Sequence, residues 1–201
     1  MNVPQIALLV AFVIFLTVFI PTYEPPRVFR NVLTEEERRH IMDEATPKLR
    51  TSTVSMDGKV DAKVRNSETA WLDVQGDPVV NGVVRRCLQH VDRPIQNCER
   101  LQVLRYKPGG FYKPHQDAFH GMRNQRMYTF IMALNDGYAG GETRFPNLEK
   151  TYKLNAGDVL LFDCLNNYEF IPSAALHGGN PVKSGEKWIC NLWVRKHPFG
   201  S

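Results

Sequence analysis

Cysteine is scarce in this chain, and what there is never pairs locally. Cys87, Cys98, Cys164 and Cys190 are the only four in 201 residues, and none forms a Cys-x-x-Cys unit. That spacing excludes a zinc ribbon or a thioredoxin-like redox motif. Cys87 and Cys98 flank a short loop. They read either as a disulfide in an oxidising compartment or as two small buried apolar groups. A large excess of charge is also missing. The net charge is +4 and the basic residues are scattered, so no nucleic-acid-binding face is expected. No internal repeat and no low-complexity tract is present, which excludes solenoids and disordered arrays.

Charge is absent altogether from residues 1–23, and Ile6 to Ile20 is apolar apart from Thr17. As a helix this segment would span roughly 34 Å, enough for a hydrocarbon core. A cleaved signal peptide is the alternative, but no basic stretch precedes the apolar run and no small-x-small site follows it. The expectation is one N-terminal transmembrane helix over 1–23, a Pro-containing linker over 24–30, and one catalytic-sized domain over 31–201. Arg27, Arg30, Arg38 and Arg39 follow the span, which by the positive-inside rule places the domain in the cytosol.

What is present after that is a change of texture. Thr34-Glu-Glu-Glu37 is a capping box that opens a helix running to about Pro47 or Leu49. Asp77-Pro78, an N-cap followed by Pro at the first helical position, opens a second helix to about Val91. Residues 52–57 read as a strand before the Asp57-Gly58 turn. From Glu99 onward short strands dominate: Leu101–Tyr106, Phe111–Gln116, Met127–Leu134, a strand ending at Phe145, Thr151–Leu154, Asp158–Phe162 and Lys187–Arg195. Many short strands with turn signals between them indicate a sandwich or barrel. The predicted fold is α+β, mainly β: a double-stranded β-helix (jelly roll) supported by N-terminal helices.

The chemistry centres on Tyr106-Lys-Pro-Gly-Gly-Phe-Tyr-Lys-Pro-His-Gln-Asp117. His115 and Asp117 are two apart, so one strand presents both to the same face. His177 supplies a third ligand. Two His and one carboxylate on one face of a metal leave the opposite positions open, the arrangement of non-haem Fe(II) oxygenases. The ligands alone would also accept zinc or manganese. Taken singly, His115 is also a surface histidine beside a turn and His177 a loop residue. His120 falls in the loop after the strand and reads as a surface residue. Lys187, ten residues past His177, offers a cation to an acidic cosubstrate, with Ile189, Asn191 and Trp193 on its face.

His-x-Asp, then Gly-Gly-Glu-Thr-Arg-Phe-Pro, then a distal His with Lys ten later and Trp beyond it jointly resemble the prolyl 4-hydroxylase branch of the Fe(II)/2-oxoglutarate dioxygenases. The resemblance spans about Phe29 to Lys196. It implies Fe(II), 2-oxoglutarate and O2, with L-ascorbate restoring oxidised iron. It implies that Tyr106 and Thr143 join Lys187 on the cosubstrate's distal carboxylate. It places Tyr112, Arg126 and Trp193 against the substrate, and Val64–Leu72 in a mobile segment beside it. Core packing is the plain alternative for Tyr112 and Trp193, and ordinary strand propensity for Tyr106 and Thr143. The expected reaction is 4-hydroxylation of peptidyl proline in Pro-rich or collagen-like polypeptides, releasing succinate and CO2. The expected setting is the endoplasmic reticulum membrane with a lumenal domain, against the orientation the arginines suggest. No obligate protein partner is evident. Gly178-Gly179 after the distal His is expected to loosen its loop, and the short segment from Asp117 to Arg126 to reshape one groove wall. The rivals are hydroxylation of another residue type, a jelly-roll peptide-binding module without catalysis, and a zinc-dependent hydrolase.

Overall fold

The computed structural model describes residues 3–6, 8, 20–54 and 58–200. The expected anchor over 1–23 lies largely outside the described residues. Among the described residues no helix is long and apolar enough to cross a membrane.

Two helices precede most of the strands. Helix α1 (Glu35–Ala45) starts at the expected capping box, with both reciprocal bonds between Thr34 and Glu37 present. Helix α2 (Pro78–Leu88) starts at Asp77, whose side chain accepts from the backbone N–H of Val79 and Val80. The strands in chain order are β1 (Arg27–Phe29), β2 (Arg50–Thr51), β3 (Arg65–Asn66), β4 (Glu68–Leu72), β5 (Leu101–Tyr106), β6 (Phe111–His115), β7 (Arg126–Ala133), β8 (Ala139–Gly140), β9 (Thr143–Phe145), β10 (Lys150–Tyr152), β11 (Val159–Asp163), β12 (His177–Gly179), β13 (Val182–Ser184) and β14 (Lys187–Arg195).

They form a large sheet ordered β1-β11-β7-β14-β5-β4-β2 and a smaller one ordered β10-β9-β12-β6-β3, with a β13-β8 pair beside them. Pairing is antiparallel throughout. This is the mainly β jelly-roll architecture, with the helices packed on the outer face of the large sheet. Strand β14 shows why the layers form. Trp188, Cys190, Leu192 and Val194 join the core beneath the helices, with Ile41, Val80 and Val84. Ile189, from the opposite face, joins the core between the two sheets, with Leu104, Phe145 and Phe162. Period-two alternation therefore gives one strand two apolar faces. Each fully buried side chain of this size contributes about 1.5–3 kcal/mol.

Several expectations need correction. The linker over 24–30 contains β1, whose Arg27, Val28 and Phe29 pair with Leu161, Leu160 and Val159 of β11. A strand was available there because β11 offered an unpaired edge. Residues 52–54 carry no strand; pairing with β4 stops at Thr51, and residues 55–57 lie outside the described residues. Val64–Leu72, the segment expected beside the substrate, supplies β3 and β4, one strand to each sheet, and its Arg65 and Trp71 line the cleft next to His115. All four cysteines are free and buried, so Cys87 and Cys98 act as core thiols, their pKa values pushed up to about 12 by burial.

Gly178 has a tighter role than the expected loosened loop. It lies within β12, and a Cβ there would stand 2.8 Å from the Tyr112 carbonyl oxygen and 2.9 Å from the Pro114 nitrogen. Only glycine lets β12 lie this close to β6. Gly178→Ala is expected to destabilise the domain by about 1–3 kcal/mol, since the clash is with backbone that cannot rotate away. Thermal unfolding checks it, and an unchanged melting temperature would contradict the close approach.

Candidate metal centre and cosubstrate pocket

Strands β6 and β12 bring the two histidines together directly: His177 pairs with His115 in the register between them. Their ring centroids are 4.4 Å apart. Asp117 does not share the strand as expected. Strand β6 ends at His115, and the chain bends before Asp117. The bend still turns the carboxylate inward, where it is buried. Asp117 Oδ1 lies 3.6 Å from His115 Nε2, and Oδ2 lies 3.6 Å from His177 Nε2. Those gaps are too long for hydrogen bonds. They suit donors converging on a shared cation, and one ligand atom from each of the three residues lies within 4.8 Å of the others.

The residues present fit a divalent metal. His115 Nδ1 is 2.9 Å from the Lys113 carbonyl and His177 Nδ1 is 3.1 Å from the Ala175 carbonyl. Carbonyls only accept, so each Nδ1 carries the proton and each Nε2 presents a lone pair. Burial, and then His177, hold the His115 pKa well below the ordinary imidazole value, which keeps the ring neutral. Burial raises the Asp117 pKa, but the two imidazoles and Arg126 more than offset it, so the carboxylate stays ionised. Thr129 on β7 donates to Asp117 Oδ2 at 2.7 Å.

A narrow slot runs from the histidines to Lys187, lined also by Tyr106, Thr143, Ile131 and Ile189. The three residues expected around the cosubstrate are therefore brought together: Lys187 faces Tyr106 across the β14–β5 pair, and Thr143 pairs with Gly179 one residue past Gly178. Lys187 is buried, and its Nζ donates to the Gly141 carbonyl at 2.7 Å. Burial, then the nearby Lys153 ammonium, lower its pKa to about 8.

On the other side of His115 lies a cleft of about 380 Å³. Tyr112, Arg126 and Trp193 all line it, as do His115 and Asp117. Tyr112 stacks on His115 with centroids 3.7 Å apart. Arg126 is not a free cation: it grips Glu99 through Nε at 2.6 Å and Nη2 at 2.9 Å, and lies 3.7 Å over the Trp193 ring. His120 is exposed and stays outside. Sequence reasoning missed Thr129, Glu99, Arg65 and Asn191. Thr129 and Glu99 carry no local signal, because a threonine in a strand and a glutamate before one are commonplace. Asn191 was placed on the Lys187 face without a role, and Arg65 sits in a segment already marked as substrate-proximal.

The 2OG-Fe(II) oxygenase superfamily profile matches residues 101–195. A protein of Acanthamoeba polyphaga mimivirus assigned to the prolyl 4-hydroxylases is 36% identical, over 88% of this chain and 76% of its own length. Prolyl 4-hydroxylase 5 of Arabidopsis thaliana is 34% identical, over 89% of this chain and 71% of its own. The chain belongs to the prolyl 4-hydroxylase family of 2OG-Fe(II) oxygenases. The crystal structure of the viral collagen prolyl hydroxylase vCPH from Paramecium Bursaria Chlorella virus-1, in complex with 2OG, superposes with a TM-score of 0.70 at 29% identity, covering 86% of this chain and 96% of that one. As a family member the chain is an Fe(II)/2-oxoglutarate-dependent dioxygenase that uses O2.

Two outcomes follow from this geometry. Thr129→Val removes the hydroxyl donor behind Asp117 and is expected to weaken Fe(II) affinity by about tenfold to a hundredfold, as outer-shell losses do; metal titration monitored by melting temperature reads it. The Lys187 ammonium is charged below about pH 8. A bound carboxylate raises that value, so 2-oxoglutarate affinity is expected to fall as pH rises through 8, by at most about tenfold per unit. Calorimetry across this range checks it, with Lys187→Arg expected to bind independently of pH.

Proposed function

We propose that the enzyme 4-hydroxylates peptidyl proline in Pro-rich or collagen-like polypeptides, with His115, Asp117 and His177 holding Fe(II). The observation that carries the substrate class is the cleft itself. It opens onto the metal-facing residues and is walled by Tyr112, Trp193, Trp71 and Phe119, the last two partly exposed. A polyproline II segment arrives with its conformation already set and with carbonyls that make no internal hydrogen bonds. Arg65 presents a buried Nη2 without a partner, and Asn191 a buried Oδ1 likewise. The Arg65 donor suits a carbonyl of such a backbone, and the Asn191 acceptor suits the N–H of a non-proline residue such as the glycine of a collagen-like repeat.

When bound, Fe(II) with 2-oxoglutarate and O2 supplies an oxidation that yields succinate and CO2 and leaves one oxygen atom in the substrate C–H bond. The chain's own groups place the reactants. Lys187, Tyr106 and Thr143 receive the distal carboxylate through an ammonium and two hydroxyls. Ile131 and Ile189 line the slot and exclude water. Tyr112, stacked on His115, fixes one wall at the point where the target ring must approach. Thr129 and the Lys113 and Ala175 carbonyls hold the three ligands in orientation. L-ascorbate restores iron oxidised in uncoupled turnovers.

Residues 24–201 with Fe(II), 2-oxoglutarate and ascorbate are expected to add one oxygen to proline in poly-proline or Pro-Pro-Gly repeats, and none to Lys- or Asn-containing controls. Mass spectrometry reads the product, with His177→Ala as the blank. Succinate without peptide oxidation would keep the dioxygenase and discard the substrate. Neither product, from iron-loaded protein, would favour a peptide-binding module. The same proposal includes an anchor over 1–23, supported by its lack of charge, with the domain in the lumen of the endoplasmic reticulum. Protease digestion of intact microsomes tests the orientation: a protected domain supports it and a degraded one overturns it.

A further inference from the structure

Lys187 is fixed at its base by one backbone carbonyl, that of Gly141. A second lysine holds the carbonyls just before that one in the chain. Lys153, just past β10, donates from Nζ to the carbonyls of Tyr138 and Gly140, each at 3.0 Å. The same Nζ lies 3.2 Å from the Tyr138 ring centroid. Three carbonyls within four residues, at Tyr138, Gly140 and Gly141, are thus shared between two ammonium groups. The strap between them is built from glycine where it bends. Gly140 and Gly141 have φ of +69° and +68°, in the left-handed region. A Cβ on Gly141 would stand 3.2 Å from Lys187 Cδ and 3.1 Å from both Tyr138 and Val182 side-chain atoms. Lys187 therefore lies against bare backbone, which is held by Lys153 at the Tyr138 and Gly140 carbonyls and by the Gly141 N–H donating to the Pro181 carbonyl.

We infer that Lys153 is a positioning residue for 2-oxoglutarate: it clamps the Tyr138–Gly141 strap so that the Gly141 carbonyl aims the Lys187 ammonium into the cosubstrate slot. This rests on Lys187 binding the cosubstrate's distal carboxylate. The arrangement has a second effect. Partial burial of the Lys153 ammonium lowers its own pKa, and its charge repels the proton on Lys187. Glu142 opposes that repulsion, and the Tyr106 ring lies 5.4 Å from Lys187 Nζ. One cation thus both orients the buried one and sets where it titrates.

The test uses Mn(II)-loaded protein, anaerobic, with 2-oxoglutarate titrated by calorimetry from pH 6.5 to 9.5. Lys153→Met is expected to raise Kd by about threefold to tenfold near neutrality, as charge-assisted positioning is lost. It is also expected to move the alkaline midpoint of binding upward, because a repelling charge has gone. In a parallel aerobic assay with Fe(II) at saturating cosubstrate, kcat is expected to stay within about twofold, the signature of lost binding without lost chemistry. Lys153→Arg is expected to restore both Kd and midpoint. Lys153→Gln keeps a donor for the carbonyls and drops the charge, so it reads the midpoint shift even if Lys153→Met unfolds. An unmoved Kd and midpoint in folded Lys153→Met and Lys153→Gln, while Lys187→Ala binds weakly, would overturn this inference alone. Unchanged binding by Lys187→Ala would instead remove the reading on which it rests.

Discussion

The rest of the site depends on one close approach, the pairing of two short strands with His177 opposite His115. Two imidazoles from remote parts of the chain meet there because β6 and β12 are neighbours in the smaller sheet. They meet closely because Gly178 has no side chain to hold the backbones apart. Asp117 then completes the set from a bend just beyond the strand. Its inward turn is stabilised by Thr129 reaching across from the large sheet. Both sheets are therefore tied to one carboxylate, and a change in their spacing would reach the candidate ligands directly.

Electrostatics at this point follow from burial and hydrogen bonding rather than from excess charge. Backbone carbonyls fix both histidine tautomers, and burial keeps His115 neutral. The carboxylate stays charged because its neighbours outweigh its desolvation. One carboxylate and two imidazole nitrogens converge on a single point, a donor set that suits a divalent metal. Lys187 repeats the logic with the sign reversed. It is a buried cation held by one carbonyl, in a slot that also carries the Tyr106 and Thr143 hydroxyls and no acidic side chain, so an anionic group suits it.

His115 also divides the two binding regions. Tyr112, His115 and Asn191 line both the cosubstrate slot and the wider cleft. The narrow slot thus runs from the histidines to Lys187, and the wider cleft opens on the other side of His115. Arg126 contributes to the cleft as structure: paired with Glu99, which it shares with Arg195, it lies over the Trp193 and Phe119 rings. This separation lets a fixed oxidative centre serve a replaceable groove, which is where Trp71 and Phe119 would set substrate choice.

Much of this was legible in the chain itself. Local rules determined the capping box at Thr34, the Pro start at Pro78, and the bounds of β5 and β14, because caps and period-two alternation are written in adjacent residues. The spacing of His115, Asp117, His177 and Lys187 named the candidate site before any fold was known. Tertiary structure alone decided the rest. Strand β1 forms because β11 left an edge open, not because Arg27–Phe29 favours a strand. Asp117 reaches its partners through a bend rather than along β6. Gly178 is demanded by a neighbouring backbone that lies more than sixty positions earlier. Thr129, Glu99 and Lys153 gain their roles from groups that no spacing rule links to them. Short-range steric and hydrogen-bonding preferences act within a few residues, so sequence reveals them; contacts between sheets are set by packing the whole core, and only the folded chain brings them together.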